Sequence, residues 1–156
     1  MKLITVPYVV GLLLGVFALV FGMSANFTNF DTLKFFLDGA SFAVVFVLTV
    51  GTLLMGFQGS FISSVTSIWK RDIDDQTLDR SIQFWKAAKR YAIAYGFIGT
   101  VMGIVLILNA MGDDPGRQIL PLSIAVLTVY YGLILGYLVF DPIACLLEAR
   151  KGVAEP

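Results

Sequence analysis

Long apolar stretches separated by short polar ones set the pattern of this chain. Four stretches, residues 3–30, 39–69, 91–112 and 118–140, contain no Asp, Glu, Lys or Arg. A helix that crosses a bilayer needs about 20 predominantly apolar residues. Each stretch therefore supplies one span, near 3–23, 39–60, 91–112 and 119–140. The pattern predicts an all-α polytopic protein with four transmembrane helices in one membrane domain over 1–156. The first stretch follows Lys2 and precedes a weakly cleavage-like Met23-Ser24-Ala25. Its apolar core exceeds the roughly 7–15 residues of a signal-peptide core, so it reads as a retained helix.

The polar stretches are short. The first connection, about 24–38, holds Asn26, Asn29, Asp31 and Asp38. The last, "GDDPGR", is built from turn formers. Between spans two and three lies "KRDIDDQTLDRSIQFWKAAKR", the one strongly charged region. Leu78, Ile82 and Trp85 recur there at helical spacing, which predicts that the second half of the 61–90 loop is an amphipathic helix running into span three. A solvated connector and a docking surface both fit that loop.

Composition agrees with the pattern. Hydrophobic residues make up 58% of the 156 positions and charged residues 14%, too little polar surface for a soluble domain of this size. Mean hydropathy is +0.85. The net charge of zero suggests no nucleic-acid partner. With no His and only Cys145, the chain has no internal disulfide, no His-based catalysis and few options for transition metals. Nothing marks it as an enzyme or calls for a cofactor. Cys145 is expected to be a small buried apolar residue. Of the Lys and Arg residues, Lys2, Lys70, Arg71, Arg80, Lys86, Lys89, Arg90, Arg150 and Lys151 fall on one side, and only Lys34 and Arg117 on the other. That bias places both termini and the 61–90 loop in the cytoplasm. Trp69 and Trp85 are then expected at the inner interface.

Small residues form the most specific signal inside the spans. Gly96, Gly99 and Gly103 lie near one face of span three, in "GFIGTVMG". Gly132 and Gly136 pair in span four, and Gly11 and Gly15 in span one. Small residues four apart let helix backbones approach closely in lipid. Spans three and four are thus expected to form a tightly packed layer. Thr100 and Thr128 each lie about 14 Å from a span end, at a rise of about 1.5 Å per residue. That is near the midplane of a core about 30 Å thick. Each hydroxyl can bond its own i−4 carbonyl, or the two can form a polar ring at one depth. No ionisable residue lies inside a span, so proton relay by this chain alone has no titrating group. Asp141, before Pro142 at the inner end of span four, is the one edge candidate, and a solvated interfacial carboxylate is the simpler reading.

Together, "GFIGTVMGIVLILNAMGDDP" and "SIAVLTVYYGLILGYLVFDPIACLL" resemble helices three and four of the MotA/TolQ/ExbB proton-channel family, with the sodium-type flagellar stator subunits closest in pattern. The shared elements are Gly96, Gly99, Thr100 and Gly103, the "DDP" turn, the Ala-x-Leu-Thr run at 125–128, Tyr131-Gly132 and Pro142-Ile143-Ala144. "FFLDGASFAVVFVLTVGTLL" is similar to the family's second helix through Asp38, Ser41, Gly51 and Thr52.

The resemblance implies a homopentamer in the bacterial inner membrane. It implies a pore lined by helices three and four, and a MotB/TolR/ExbD-like single-helix partner that supplies the titrating Asp. Thr100 would face that carboxylate, and ion flow would drive rotation. The chain departs from the family in three places. Val129 occupies the position of the second pore threonine, with Thr128 about 100° away around the helix, which tilts the ion toward protons. Ile93 replaces a proline entering helix three. The large rotor-contacting domain between helices two and three is reduced to 61–90. Three functions remain open: a motor subunit coupled to something other than a flagellar rotor, a flagellar stator subunit with a minimal loop, and a non-transporting four-helix scaffold.

Overall fold

A computed structural model describes residues 6–24, 30–70, 73–109 and 119–154. The described residues are helical, without strands. Helix α1 spans Val6–Met23, α2 Gly39–Phe57, α3 Phe61–Thr66, α4 Asp75–Asn109, α5 Ile119–Leu133 and α6 Asp141–Ala154. Three continuous helical stretches are long and apolar enough to cross a membrane: Gly39–Thr66, Asp75–Asn109 and Ala125–Lys151. The apolar α1 is shorter, and residues 3–5 of the expected first span and 110–112 of the third lie outside the described residues. The chain is a multi-pass membrane protein.

Each boundary has a local cause. Asp38 caps α2, accepting the Ser41 N–H at 2.8 Å and also the Ser41 hydroxyl. These donors, the hydroxyl first, hold the Asp38 carboxyl below its ordinary value. Past Phe57 the helix tightens into a 3₁₀ turn, Gln58–Ser60, and resumes as α3. The hydroxyls of Ser60, Ser63 and Ser67 bond carbonyls one turn back, Phe57, Ser60 and Ser64, and help satisfy the broken ladder. Asp74 accepts the Thr77 N–H at 3.0 Å at the start of α4. Pro142 has no N–H to donate one turn back, and its ring crowds the carbonyl there. The helix relaxes into a π segment, Ile134–Phe140, whose last N–H, that of Asp141, reaches Gly136.

At 35 residues, α4 is the longest element. At about 1.5 Å per residue it measures about 52 Å, well over the ~30 Å apolar slab. Its first half is the charged segment 75–90, which forms one helix with the span. The main core sits at this basic end. Leu78, Ile82, Phe84, Trp85 and Ala88 of α4 pack with Leu53 of α2 and Ile143, Ala144 and Leu147 of α6. Phe84 meets Phe57, Phe61 and Trp85 edge-on, with ring centroids 5.1–5.3 Å apart. The segment is therefore half core, and a purely solvated connector does not describe it. Trp85 is buried and donates its indole N–H to the Ser64 carbonyl at 3.3 Å, whereas Trp69 is 70% exposed.

Cys145 corrects the sequence expectation, since it is exposed. The face of α6 that enters the core carries Ile143, Ala144 and Leu147, and Cys145 falls on the other side. Ion pairs on the outside cross the α4–α6 contact. Lys89 reaches Asp141 at 3.0 Å, Lys151 reaches Asp79 at 2.8 Å, and Lys86 pairs with Glu148. The order runs down one helix and up the other, so α4 and α6 are antiparallel.

Candidate ion path and the α4–α5 seam

The glycine faces meet within one chain. A Cβ built on Gly103 would lie 2.6 Å from the Ala125 Cβ, and one on Gly99 would lie 2.7 Å from the Thr128 side chain. One on Gly96 would lie 2.9 Å from the Thr128 carbonyl and 3.3 Å from the Val129 Cα. From the opposite helix, a Cβ on Gly132 would lie 2.7 Å from the Ala92 carbonyl. On Gly136, in the π segment, it would lie 3.0 Å from Ile93. The contacts run antiparallel from Gly103 against Ala125 to Ile93 against Gly136. The seam is a backbone-to-backbone contact that leaves no room for a methyl group.

Thr100 and Thr128 come together on this seam, at one carbonyl. The Thr100 hydroxyl donates to Ala125 O at 2.8 Å and lies 3.2 Å from its own Gly96 O. The Thr128 hydroxyl donates to the same Ala125 O at 3.1 Å. Thr128 is 1% exposed, with its methyl and hydroxyl pressed against Gly99, so within one chain it fills the seam. Thr100 and Val129 are half-buried at the margin of the contact. The threonines thus meet at one level of the seam, and both are turned toward their own chain.

Further hydroxyls are turned toward their own chain in the same way. Thr49 bonds Val45 O at 2.7 Å, and Thr52 pairs with the Tyr95 hydroxyl from α4. Tyr131 donates to the Phe36 carbonyl and accepts the Asp38 N–H at 3.1 Å, tying α5 to the segment before α2. The exposed sides of α4 and α5 carry apolar residues such as Val101, Val105, Leu122 and Val126. Among the described residues no group of His, Cys, Asp or Glu could hold a metal ion.

At the basic end, Asp141 is tied to Lys89, whose ammonium also lies 4.2 Å from the centre of the Tyr137 ring. Asp141 and Pro142 are half-buried. Sequence reasoning named the glycines, the threonines and Asp141. It named Tyr131 only as a motif residue and Lys89 only for its charge, and it missed Tyr95 and the Ala125 carbonyl. A lysine or tyrosine one turn outside a charge-free run is a signal that could have flagged Lys89. A carbonyl acceptor carries no sequence signal.

A profile of the MotA/TolQ/ExbB proton channel family matches residues 56–154, more than half of the chain. The chain is 41% identical over 66 residues to an uncharacterized protein, YtxD, of Bacillus subtilis, covering 42% of this chain and 24% of that protein. It is 37% identical over 89 residues to the chemotaxis protein PomA of Vibrio alginolyticus, covering 56% of this chain and 35% of that protein. The matches therefore span about a quarter and about a third of these relatives. The matched region holds the glycine seam, both threonines and the Lys89–Asp141 pair, and the chain belongs to the MotA/TolQ/ExbB proton channel family.

Proposed function

We propose that this chain is the pore-forming subunit of a rotary motor complex driven by ion-motive force in the bacterial inner membrane. It assembles as a homopentamer around a MotB/TolR/ExbD-like single-helix partner. The carrying observation is chemical: the spans hold no titratable acid or base, and every intramembrane hydroxyl named above is engaged within its own chain. An ion-driven device built on such walls needs a carboxylate from elsewhere. The partner's single helix supplies it, and the apolar faces of α4 and α5 surround it.

Protons are the coupling ion in this reading. Sodium needs several oxygen ligands. Val129 offers none, and the Thr128 hydroxyl is spent on Ala125 O. A proton needs only the partner's carboxylate and a water path. The short helical segments α3 and the start of α4, with α6, in place of a large rotor-contacting domain, support coupling to a process other than flagellar rotation. The likeness to a chemotaxis protein favours a second reading, a flagellar stator subunit with a minimal loop.

Co-expression with the cognate single-helix subunit and reconstitution in liposomes tests both. The expected result is proton uptake that persists without sodium, is abolished when the partner's membrane Asp becomes Asn, and is lost in Thr100→Val while assembly persists. Uptake that follows sodium at fixed pH would refute the proton assignment. Absence of any partner-dependent flux would leave a non-transporting scaffold. Restored swimming in a stator-deficient host would select the flagellar reading.

A further inference from the structure

We propose that the groove between the end of α2 and the middle of α4 binds the headgroup of an anionic phospholipid. The groove encloses about 580 Å³. Its floor is apolar, from Phe57, Ala87 and Tyr91, and its rim carries Gln83, Lys86, Lys89, Arg90 and the carboxylate of Asp141. The cations are unequal. Lys86 is matched by Glu148 and Lys89 by Asp141, whereas Arg90 is exposed and pairs with no carboxylate among the described residues. The rim therefore keeps one uncompensated positive charge, on the side chain whose planar fork matches a phosphate best.

The level of the groove identifies the source of the phosphate. Phe57 closes α2 and Tyr91 opens the charge-free run of α4, so the groove straddles the plane where both helices leave the apolar slab. Both walls continue toward the membrane interior as exposed apolar side chains. Leu54 lies one turn before Phe57, and Ile98 two turns beyond Tyr91, each on the face of its neighbour. A cationic rim above an apolar track fits a glycerophosphate with its acyl chains. A soluble anion would leave the track unused.

The test uses the full chain in nanodiscs of equal phosphatidylglycerol and phosphatidylcholine, with retained lipid counted by mass spectrometry after extraction into mild detergent. One basic side chain beside an anionic surface gives about a fivefold preference, so phosphatidylglycerol is expected to be retained about fivefold over phosphatidylcholine. Arg90→Gln should abolish the preference and Arg90→Lys keep most of it. Arg80→Gln, the same charge change on an exposed residue of α4 outside the groove, should leave it intact, and soluble glycerol phosphate should not compete. Equal loss in Arg80→Gln would reduce the effect to overall charge and overturn the site. Displacement by glycerol phosphate would make it a soluble-anion site and overturn it as well. Disulfide formation between copies through Gln83→Cys on a Cys145→Ser background, with no lipid preference, would assign the groove to a second copy instead.

Discussion

The hydroxyl of Thr100 donates to the carbonyl of Ala125 at 2.8 Å, across the contact between α4 and α5. This bond joins the two helices at the level of their closest packing, and its acceptor also serves Thr128. Thr100 therefore has a structural task in each chain, whatever else it faces in an assembly. A hydrogen bond between membrane helices is worth about 0.6–2 kcal/mol. Thr100→Val should lower the stability of the purified chain by about 1 kcal/mol in a denaturant or thermal series, and Thr100→Ser should restore it. An unchanged Thr100→Val would mean that the bond to its own Gly96 carbonyl suffices.

Gly103→Ala should destabilise far more than Gly11→Ala. The added methyl at Gly103 meets the Ala125 Cβ at 2.6 Å and backbone atoms of Ala125 at 2.9 Å. At Gly11 nothing lies within 4 Å. Overpacking of this kind costs about 1–3 kcal/mol, whereas Gly→Ala in an open helix position gains up to about 1 kcal/mol. Gly103→Leu should prevent accumulation of folded protein. Size-exclusion profiles and melting midpoints of the variants check both.

Tyr131→Phe removes one donor and one acceptor from the junction with Phe36 and Asp38. The loss should be about 1–2 kcal/mol. It should appear as faster hydrogen exchange at residues 30–38 with little change at the basic end.

The Asp38 cap gives a signed pH dependence. Its carboxyl is held below the ordinary value by Ser41. A depressed folded-state value means that the capping contribution is complete above the unfolded value and is lost as pH falls through the folded one. The wild type should lose stability below about pH 4, relative to its neutral-pH value, more steeply than Asp38→Asn. Parallel slopes would show that the carboxylate adds nothing beyond its shape.

Lys89→Met and Asp141→Asn, taken with the double variant, should give a coupling of about 0.5–1 kcal/mol that shrinks with salt, as partly exposed pairs do. A coupling of zero at low salt would mean that the contact with Tyr137 positions Lys89 alone.

Much of the architecture was legible because it is written locally. Charge-free runs mark the spans, and the spacing of Leu78, Ile82 and Trp85 announces the amphipathic start of α4. The glycines announced a tight contact. Whether spans three and four meet within one chain or between copies was not legible, since a row of glycines specifies closeness and not a partner. Here the partner is α5 of the same chain, so the tight layer expected of spans three and four forms within one subunit. The ion pairs between α4 and α6 join residues more than fifty positions apart, and only the antiparallel register reveals them. The exposure of Cys145 followed from its phase on α6, which a lone residue type does not give. The π segment had one local trace, Pro142, and a proline alone does not say which kind of turn absorbs it.

The continuity of α4 has a mechanical meaning. Between Asp75 and Tyr95 it contains neither glycine nor proline, so nothing along that length acts as a hinge. About 24 Å of it extends below Tyr91, at about 1.5 Å per residue. A tilt of about 10° with its fulcrum at Tyr91 would sweep the Asp75 end through about 4 Å, by the same rise per residue. The antiparallel brace of α6 would move with it through the ion pairs. Displacements at the glycine seam would then arrive beyond the membrane as leverage on a rigid arm, enlarged by the ratio of its two lengths.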